Sequence, residues 1–357
     1  MKKVFVWVVV LVLSISMVVG FSLVGCKTTT AETTAAAETT AAAETTAAPA
    51  EITIGFIFQD LETEFWMAGH KAITETLRAQ GITVIEKNAS QDENKSLEIA
   101  KDLISQKVDG IMIIPQTGDS AVAIGKLCNE AGIPYAVFNR PPSNKDAKAL
   151  VVVADNKSIS IQATEYMTEQ AKKLGRKVQS IIMVGDLTDP NAVYRKEGFY
   201  AVVDKNPDVY LKPIDVLTKW DAPTAAANLK SALQANPNID MLFTSSDFLY
   251  PTIKAALEPL GKWEKIGSPG HVIMGGIDGD SRAGQLMDEG YVDATGVQDL
   301  FTEATMLMDA LTEAINNKEK TPEKWIDDPG FALTQGNMST RKLDMWGNIL
   351  RKDKGEI

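Results

Sequence analysis

From Glu51 onward, short apolar runs alternate with amphipathic stretches of helical period, and this alternation limits the possible folds more than any other feature of the chain. The runs expected as strands are Ile52–Phe58, Thr83–Glu86, Gly110–Ile114, Pro134–Phe138 and Leu150–Ala154. They continue with Ser180–Val184, Asp215–Leu217, Met241–Thr244, Val272–Ile277 and Ala294–Val297. Unbroken segments such as Ile111-Met112-Ile113-Ile114 suit strands covered on both faces, as in parallel sheets. Single helices between strands imply right-handed βαβ units, and Ser90-Gln91-Asp92-Glu93 offers one helix a capping box. So many units overfill one sheet, and a break near Asp155-Asn156 divides them evenly. The expected fold class is α/β with two lobes, each a parallel-rich sheet flanked by helices.

In such sheets ligands gather at the carboxyl ends of the strands. Here those ends carry Gln59 to Trp66, Pro115-Gln116 and Asn139-Arg140-Pro141-Pro142. In the second half they carry Gly185 to Arg195, Lys219-Trp220-Asp221, Ser245-Ser246-Asp247, Asp278-Gly279-Asp280 and Gln298-Asp299. Aromatic, amide, arginine and carboxylate groups dominate. No Gly-x-Gly-x-x-Gly or Walker sequence follows any strand, so a phosphate cradle is not expected.

The residues before Glu51 read differently. Lys2 and Lys3 precede an apolar run from Val4 to Val19, and Leu23-Val24-Gly25-Cys26 follows. This pattern predicts a secretory leader, with an uncleaved membrane anchor as its rival. Leu-Val-Gly-Cys resembles a bacterial lipoprotein box, which implies lipidation of Cys26 as the first mature residue. The expected protein is exported and held at the cell membrane. The repeat Glu32-Thr33-Thr34-Ala35-Ala36-Ala37 and its copies are too small-sided to form a core and read as a solvated spacer. Drawn out it spans roughly 80 Å. The formal charge of −11 becomes −13 once Lys2 and Lys3 leave with the leader. Such an acidic balance disfavours nucleic acid as a partner. With Cys26 lipidated, Cys128 has no disulfide partner, and stability must come from core burial.

The body resembles the ribose- and galactose-type periplasmic sugar-binding proteins, the substrate receptors of sugar ABC importers. The likeness runs from about Ile52 to Leu333. Ile54-Gly55-Phe56 with Glu64-Phe65-Trp66 matches the opening strand and aromatic pair, and Val137-Phe138-Asn139-Arg140-Pro141-Pro142-Ser143 the end of the fourth strand. Ala154-Asp155-Asn156, Arg195 with Lys196 to Phe199, Trp220-Asp221, Ser246-Asp247, Gly276 to Gly279 and Val297-Gln298-Asp299 continue the series in register. The resemblance implies that Phe65 and Trp220 sandwich a sugar ring beside Trp66. It assigns the hydroxyls to Asn139, Arg140, Arg195, Asp278 and Gln298, with Asn191, Ser246 and Asp247 completing the site. Planar groups with fixed donors or acceptors suit hydroxyls, which both donate and accept. Thr63 stands where Asp or Asn is usual, Asn191 where the galactose type has Asp, and Ser246 where Asn is usual. The calcium loop of the galactose type has no counterpart near Leu174 to Lys177.

An enzyme is the less favoured reading. Gly279-Asp280-Ser281-Arg282-Ala283 lacks the last glycine of a nucleophile elbow, and His70 and His271 both precede Ser281. These two histidines and Cys128 show no zinc spacing. Paired carboxylates for glycoside hydrolysis remain open by counting alone. No catalytic residue, metal or cofactor is expected. The resemblance implies a monomer that captures a monosaccharide, pentose, hexose or inositol-like, for an ABC permease and its ATPase. The alternative is a sensor presenting its liganded form to a membrane receptor or histidine kinase. The expected lobes are 51–155 with 299–327, and 156–298 with 328–340. Chain crossings fall near Asp155-Asn156, near Gln298-Asp299 and between Trp325 and Thr334. No role is assigned to the last residues, 341–357.

Overall fold

The computed structural model describes residues 51–357; the expectations for the leader, Cys26 and the repeat lie outside the described residues. Twelve strands build two six-stranded sheets. The first contains β1 (Thr53–Phe58), β2 (Thr83–Asn88), β3 (Gly110–Ile113), β4 (Tyr135–Phe138), β5 (Leu150–Ala154) and β11 (Lys324–Asp328). The second contains β6 (Ser180–Val184), β7 (Ile214–Leu217), β8 (Met241–Thr244), β9 (Ile273–Asp278), β10 (Ala294–Val297) and β12 (Phe331–Thr334). The orders are β2-β1-β3-β4-β5-β11 and β7-β6-β8-β9-β10-β12, one plan used twice. All pairings within the sheets are parallel except β10 with β12.

Helices cover both faces of each sheet, which is why the strands read as continuous apolar runs. In the first sheet Phe56, Met112, Phe138 and Val152 pack in one core with Ile73 and Leu77 of α1 (Glu64–Ala79). The alternate residues Ile57, Ile111, Ile113 and Val137 join Leu103 of α2 (Glu93–Ser105) and Ile124 of α3 (Gly118–Ala131). The second sheet repeats this division, with α4 (Asn156–Lys172) and α5 (Pro190–Val203) beside Ile182 and Phe243. Its other face carries α6 (Ala222–Ala235), α7 (Tyr250–Leu257) and α8 (Ser281–Glu289). Cys128 sits in the core on the α2 and α3 side of the first sheet, where burial pushes its thiol up to about 12 and leaves it protonated.

The chain passes between the sheets three times. β5 leads into α4, β10 into α9 (Leu300–Asn316), and β11 through Pro329-Gly330 into β12. Asp328 ties the crossings together: its carbonyl accepts from Asp155 N at 2.7 Å, and its carboxylate from Asp299 N at 3.1 Å. Asp155 and Asp299 in turn cap α4 and α9.

The expected strands are present, four with the expected ends and the others with ends shifted by one or two residues, and the structure adds β11 and β12. The expected capping box starting at Ser90 is not formed. Ser90 and Gln91 have φ of 56° and 59°, and Asp92 caps α2 by accepting from Lys95 N at 3.0 Å. The chain ends in α10 (Met338–Arg341) and α11 (Trp346–Asp353), which pack on the second lobe.

Candidate functional site

In both sheets the strand order reverses where the first strand sits between its two neighbours, β1 between β2 and β3, and β6 between β7 and β8. Loops leaving such a switch point diverge and make a crevice. Here the two crevices contribute to one cavity of about 690 Å³. Its walls carry ten of the residues singled out from the sequence: Phe65, Trp66, Asn139, Arg140, Asn191, Arg195, Trp220, Ser246, Asp278 and Gln298.

Phe65 and Trp66 occupy the first turn of α1, whose N-cap Thr63 accepts from Trp66 N at 3.4 Å. Thr63 therefore serves the helix in the place where relatives of the resemblance carry Asp or Asn. The two rings meet edge to face with centroids 4.8 Å apart. Trp220 comes from the other sheet, after β7, and needs an unusual backbone: Lys219 and Trp220 have φ of 53° and 56°. A side chain at Gly185 would run into the Trp220 indole, so that glycine is required for close approach. The indole Nε1 donates to Asp189 Oδ2 at 3.2 Å, which fixes the ring plane.

Two buried arginines anchor the polar part. Arg140 donates from Nε to Asp189 Oδ2 at 2.8 Å and from Nη1 to the Pro115 and Gln116 carbonyls at 2.8 Å, and it bonds Gln59 Oε1. Its guanidinium lies 5.4 Å from the Trp66 ring centre. Arg195 donates from Nε to Asn156 Oδ1 at 2.6 Å, and from Nη1 to the Ser245 carbonyl at 2.6 Å and Asp278 Oδ1 at 3.1 Å. It lies 5.6 Å from the Trp220 ring centre. Among the described residues neither Nη2 group has a protein acceptor, so each arginine is fixed by one edge and keeps a donor for a ligand.

Asp278 is the acceptor hub. Oδ1 also accepts from Gln298 Nε2 at 2.9 Å, and Oδ2 accepts from Ser246 Oγ. Burial raises its pKa, and the Arg195 charge opposes that rise. Asn139, at φ 62°, donates from Nδ2 to Gln298 Oε1 at 3.0 Å and Glu303 Oε2 at 2.9 Å. Asn191 Nδ2 donates to the Asn139 carbonyl at 3.0 Å, a bond from one sheet's loops to the other's.

Asp247 is placed elsewhere than the cavity wall. It is fully buried behind β9, where Oδ2 accepts from Gly279 N at 2.8 Å and Thr295 Oγ1 at 2.7 Å. Desolvation, with Asp280 and Asp278 nearby, raises its pKa well above the usual range. It holds the Asp278-Gly279 turn in place from behind. Asp280 caps α8, accepting from Ala283 N at 2.7 Å, which leaves the Asp278 carboxylate to the cavity.

Several wall residues were not singled out as binding residues from the sequence. Asp189 bridges Arg140 and Trp220, and Gln59, Asp60, Glu62 and Gln116 line the first-sheet side. Asp189 precedes Pro190 and caps α5, so the Asp-Pro signal for a helix start concealed its second task. Among the described residues no cluster of His, Cys, Asp and Glu is arranged to hold a metal ion.

A family model described as periplasmic binding protein domain matches residues 54–319, and the chain belongs to that family. The D-apiose import binding protein of Actinobacillus succinogenes is 24% identical, covering 70% of this chain and 78% of that protein. A putative rhizopine-binding protein of Rhizobium meliloti is 26% identical over 79% of this chain and 89% of its own length. Among solved structures, an ABC transporter solute-binding protein of Bacillus halodurans with bound myo-inositol superposes with a TM-score of 0.71. It is 25% identical and covers 82% of this chain and 98% of that one. The fold is that of sugar-binding solute receptors of ABC transporters.

Proposed function

We propose that this member of the periplasmic binding protein family captures a monosaccharide or inositol-like polyol between its lobes and delivers it to an ABC importer. The observation that carries this reading is a single cavity joining Phe65, Trp66 and Trp220 to Arg140, Arg195 and Asp278. Aromatic faces suit the C–H faces of a sugar ring, and the half-used arginines and the carboxylate suit its hydroxyls. The ligands for which relatives are named, D-apiose and myo-inositol among them, are of this chemical class.

The lobes are 51–155 with 299–327, and 156–298 with 328–340, turning about the crossings joined by Asp328. Closure brings Arg140 to Asp189 and Asn191 to Asn139. The protein acts outside the cytoplasm as a monomer, tethered through lipid on Cys26 and the threonine-alanine spacer. Its work is reversible binding, with no chemical step.

A thermal-shift screen against pentoses, hexoses and inositols tests the reading, because a ligand that binds only the native state raises the melting temperature by mass action. One saturable stabiliser is expected among neutral polyols. A screen in which no neutral polyol shifts the melt at millimolar concentration would remove the proposal.

A further inference from the structure

The last residues, 341–357, left without a role by their sequence, pack behind the cavity against the Asp278-Gly279 turn. Their attachment to the second lobe is extensive. Met345 and Trp346 are buried, and α11 lies along α8. Gly347 N donates to the Gly279 carbonyl at 3.1 Å, and a side chain at Gly347 would collide with the Asp280 backbone. Lys342 and Arg351 both pair with Asp288, at 2.7 Å and 2.9 Å.

From that seat the segment reaches two groups that matter to the cavity. Trp346 Nε1 donates to the main-chain carbonyl of Asp278 at 2.8 Å. Asp278 has φ of 128°, a conformation side chains rarely adopt, so an external bond to its peptide helps hold the carboxylate where Arg195, Ser246 and Gln298 meet it. The same indole touches the first lobe: its ring meets Phe65 edge-on, with centroids 5.9 Å apart. About two turns further on, Lys354 Nζ lies 3.6 Å from Glu64 Oε1. Glu64 Oε2 accepts from Ser281 N at 2.9 Å and from Ser281 Oγ at 2.6 Å. α1 of one lobe, α8 of the other and the tail therefore share one set of contacts.

We propose that residues 338–357 form an interlobe strap in which Trp346 is a positioning residue for both Asp278 and Phe65. With Lys354 on Glu64, the strap stabilises the closed arrangement and slows release of the ligand. This rests on the polyol-binding reading above. A tail that merely completed the core would raise the melting temperature without changing ligand kinetics. A strap acts on the dissociation rate.

The test uses the full chain carrying Trp346→Phe with Lys354→Glu, which keeps an aromatic ring, removes the indole N–H and reverses the charge facing Glu64. Stopped-flow release of the best polyol from the thermal-shift panel is expected to quicken about tenfold, the scale of one lost buried hydrogen bond, with association little changed. Lys354→Glu alone, at an exposed site that tolerates substitution, should quicken release by about two- to threefold, the scale of an exposed ion pair, even if the double variant folds poorly. Release at the parent rate in the folded variants would overturn the strap. If the parent binds no polyol, the proposed function fails by itself, and small-angle scattering of the ligand-free proteins decides the strap. A larger radius of gyration in the double variant supports it, and identical radii overturn it.

Discussion

Replacing Trp220 by alanine removes the aromatic wall supplied by the second sheet and leaves Asp189 Oδ2 to Arg140 alone. The loss expected is about 1 to 3 kcal/mol of binding, or on the order of 10- to 100-fold in Kd by calorimetry. Unchanged affinity for every parental ligand would show that the ring does not contact the sugar. Glu303 supports a prediction in pH. Burial, more than any charge effect, lifts its carboxyl from 4.5 to about 8, and among the described residues Oε1 has no hydrogen-bond partner while Oε2 accepts from Asn139. The native state therefore keeps a proton that the unfolded chain has already lost. The contribution is fully present below about pH 4.5 and is lost as pH rises through about 8. Glu303→Gln should flatten the fall in unfolding free energy between those values, where one such group changes stability by up to about 1.4 kcal/mol per pH unit. Equal pH slopes for the two proteins in denaturant titrations would refute the assignment. At this scale the sequence showed residues at strand ends and hid those with two tasks. Asp189 was not singled out from the sequence: it caps α5, and its ion pair with Arg140 depends on the lobes meeting.

Gly185, at the end of β6, sets how closely the following loop can receive the β7 loop. Gly185→Val should expel the Trp220 indole and lower affinity about as much as Trp220→Ala. The double variant should then be no worse than Trp220→Ala alone, since both changes remove one contact. Additive losses in calorimetry would mean that Gly185 acts by another route. Ten strands were legible from apolar residues in a βαβ rhythm: eight are buried between helices, and the edge strands β2 and β7 are only partly covered. β11 was not, because Lys324-Trp325-Ile326-Asp327-Asp328 is a sheet-edge strand with largely exposed residues and no apolar run. β12 is four residues long and pairs antiparallel, outside the βαβ rhythm that located the others. The cap of α2 moved from Ser90 to Asp92 because the chain turns through two left-handed residues before the helix can start. The tail helix was equally opaque. Trp346 is one of the largest fully buried side chains, yet nothing local in Met345-Trp346-Gly347 shows that it will be covered by the Asp278-Gly279 turn.

The whole molecule repeats one six-stranded plan, and its two switch points face a common cavity. That much follows from alternating period and strand-end chemistry. The closure geometry does not, because bonds such as Arg140 to Asp189 join segments far apart in the chain. Anchoring is tested separately: mass spectrometry of the native protein should find Cys26 at the mature N-terminus bearing diacylglycerol. Cys26→Ser should yield a soluble, ligand-competent protein or an unprocessed precursor. A mature chain starting elsewhere would contradict lipid attachment while leaving the cavity untouched. The central claim is that this cavity holds a neutral polyol through both lobes at once. Calorimetric titration of the parent and of Asp278→Ala with the same panel of pentoses, hexoses and inositols tests it most directly. The account predicts one-site binding of at least one member by the parent, and affinity on the order of 10- to 100-fold weaker in the variant. No binding by the parent at millimolar sugar, or equal binding by both proteins, would contradict it.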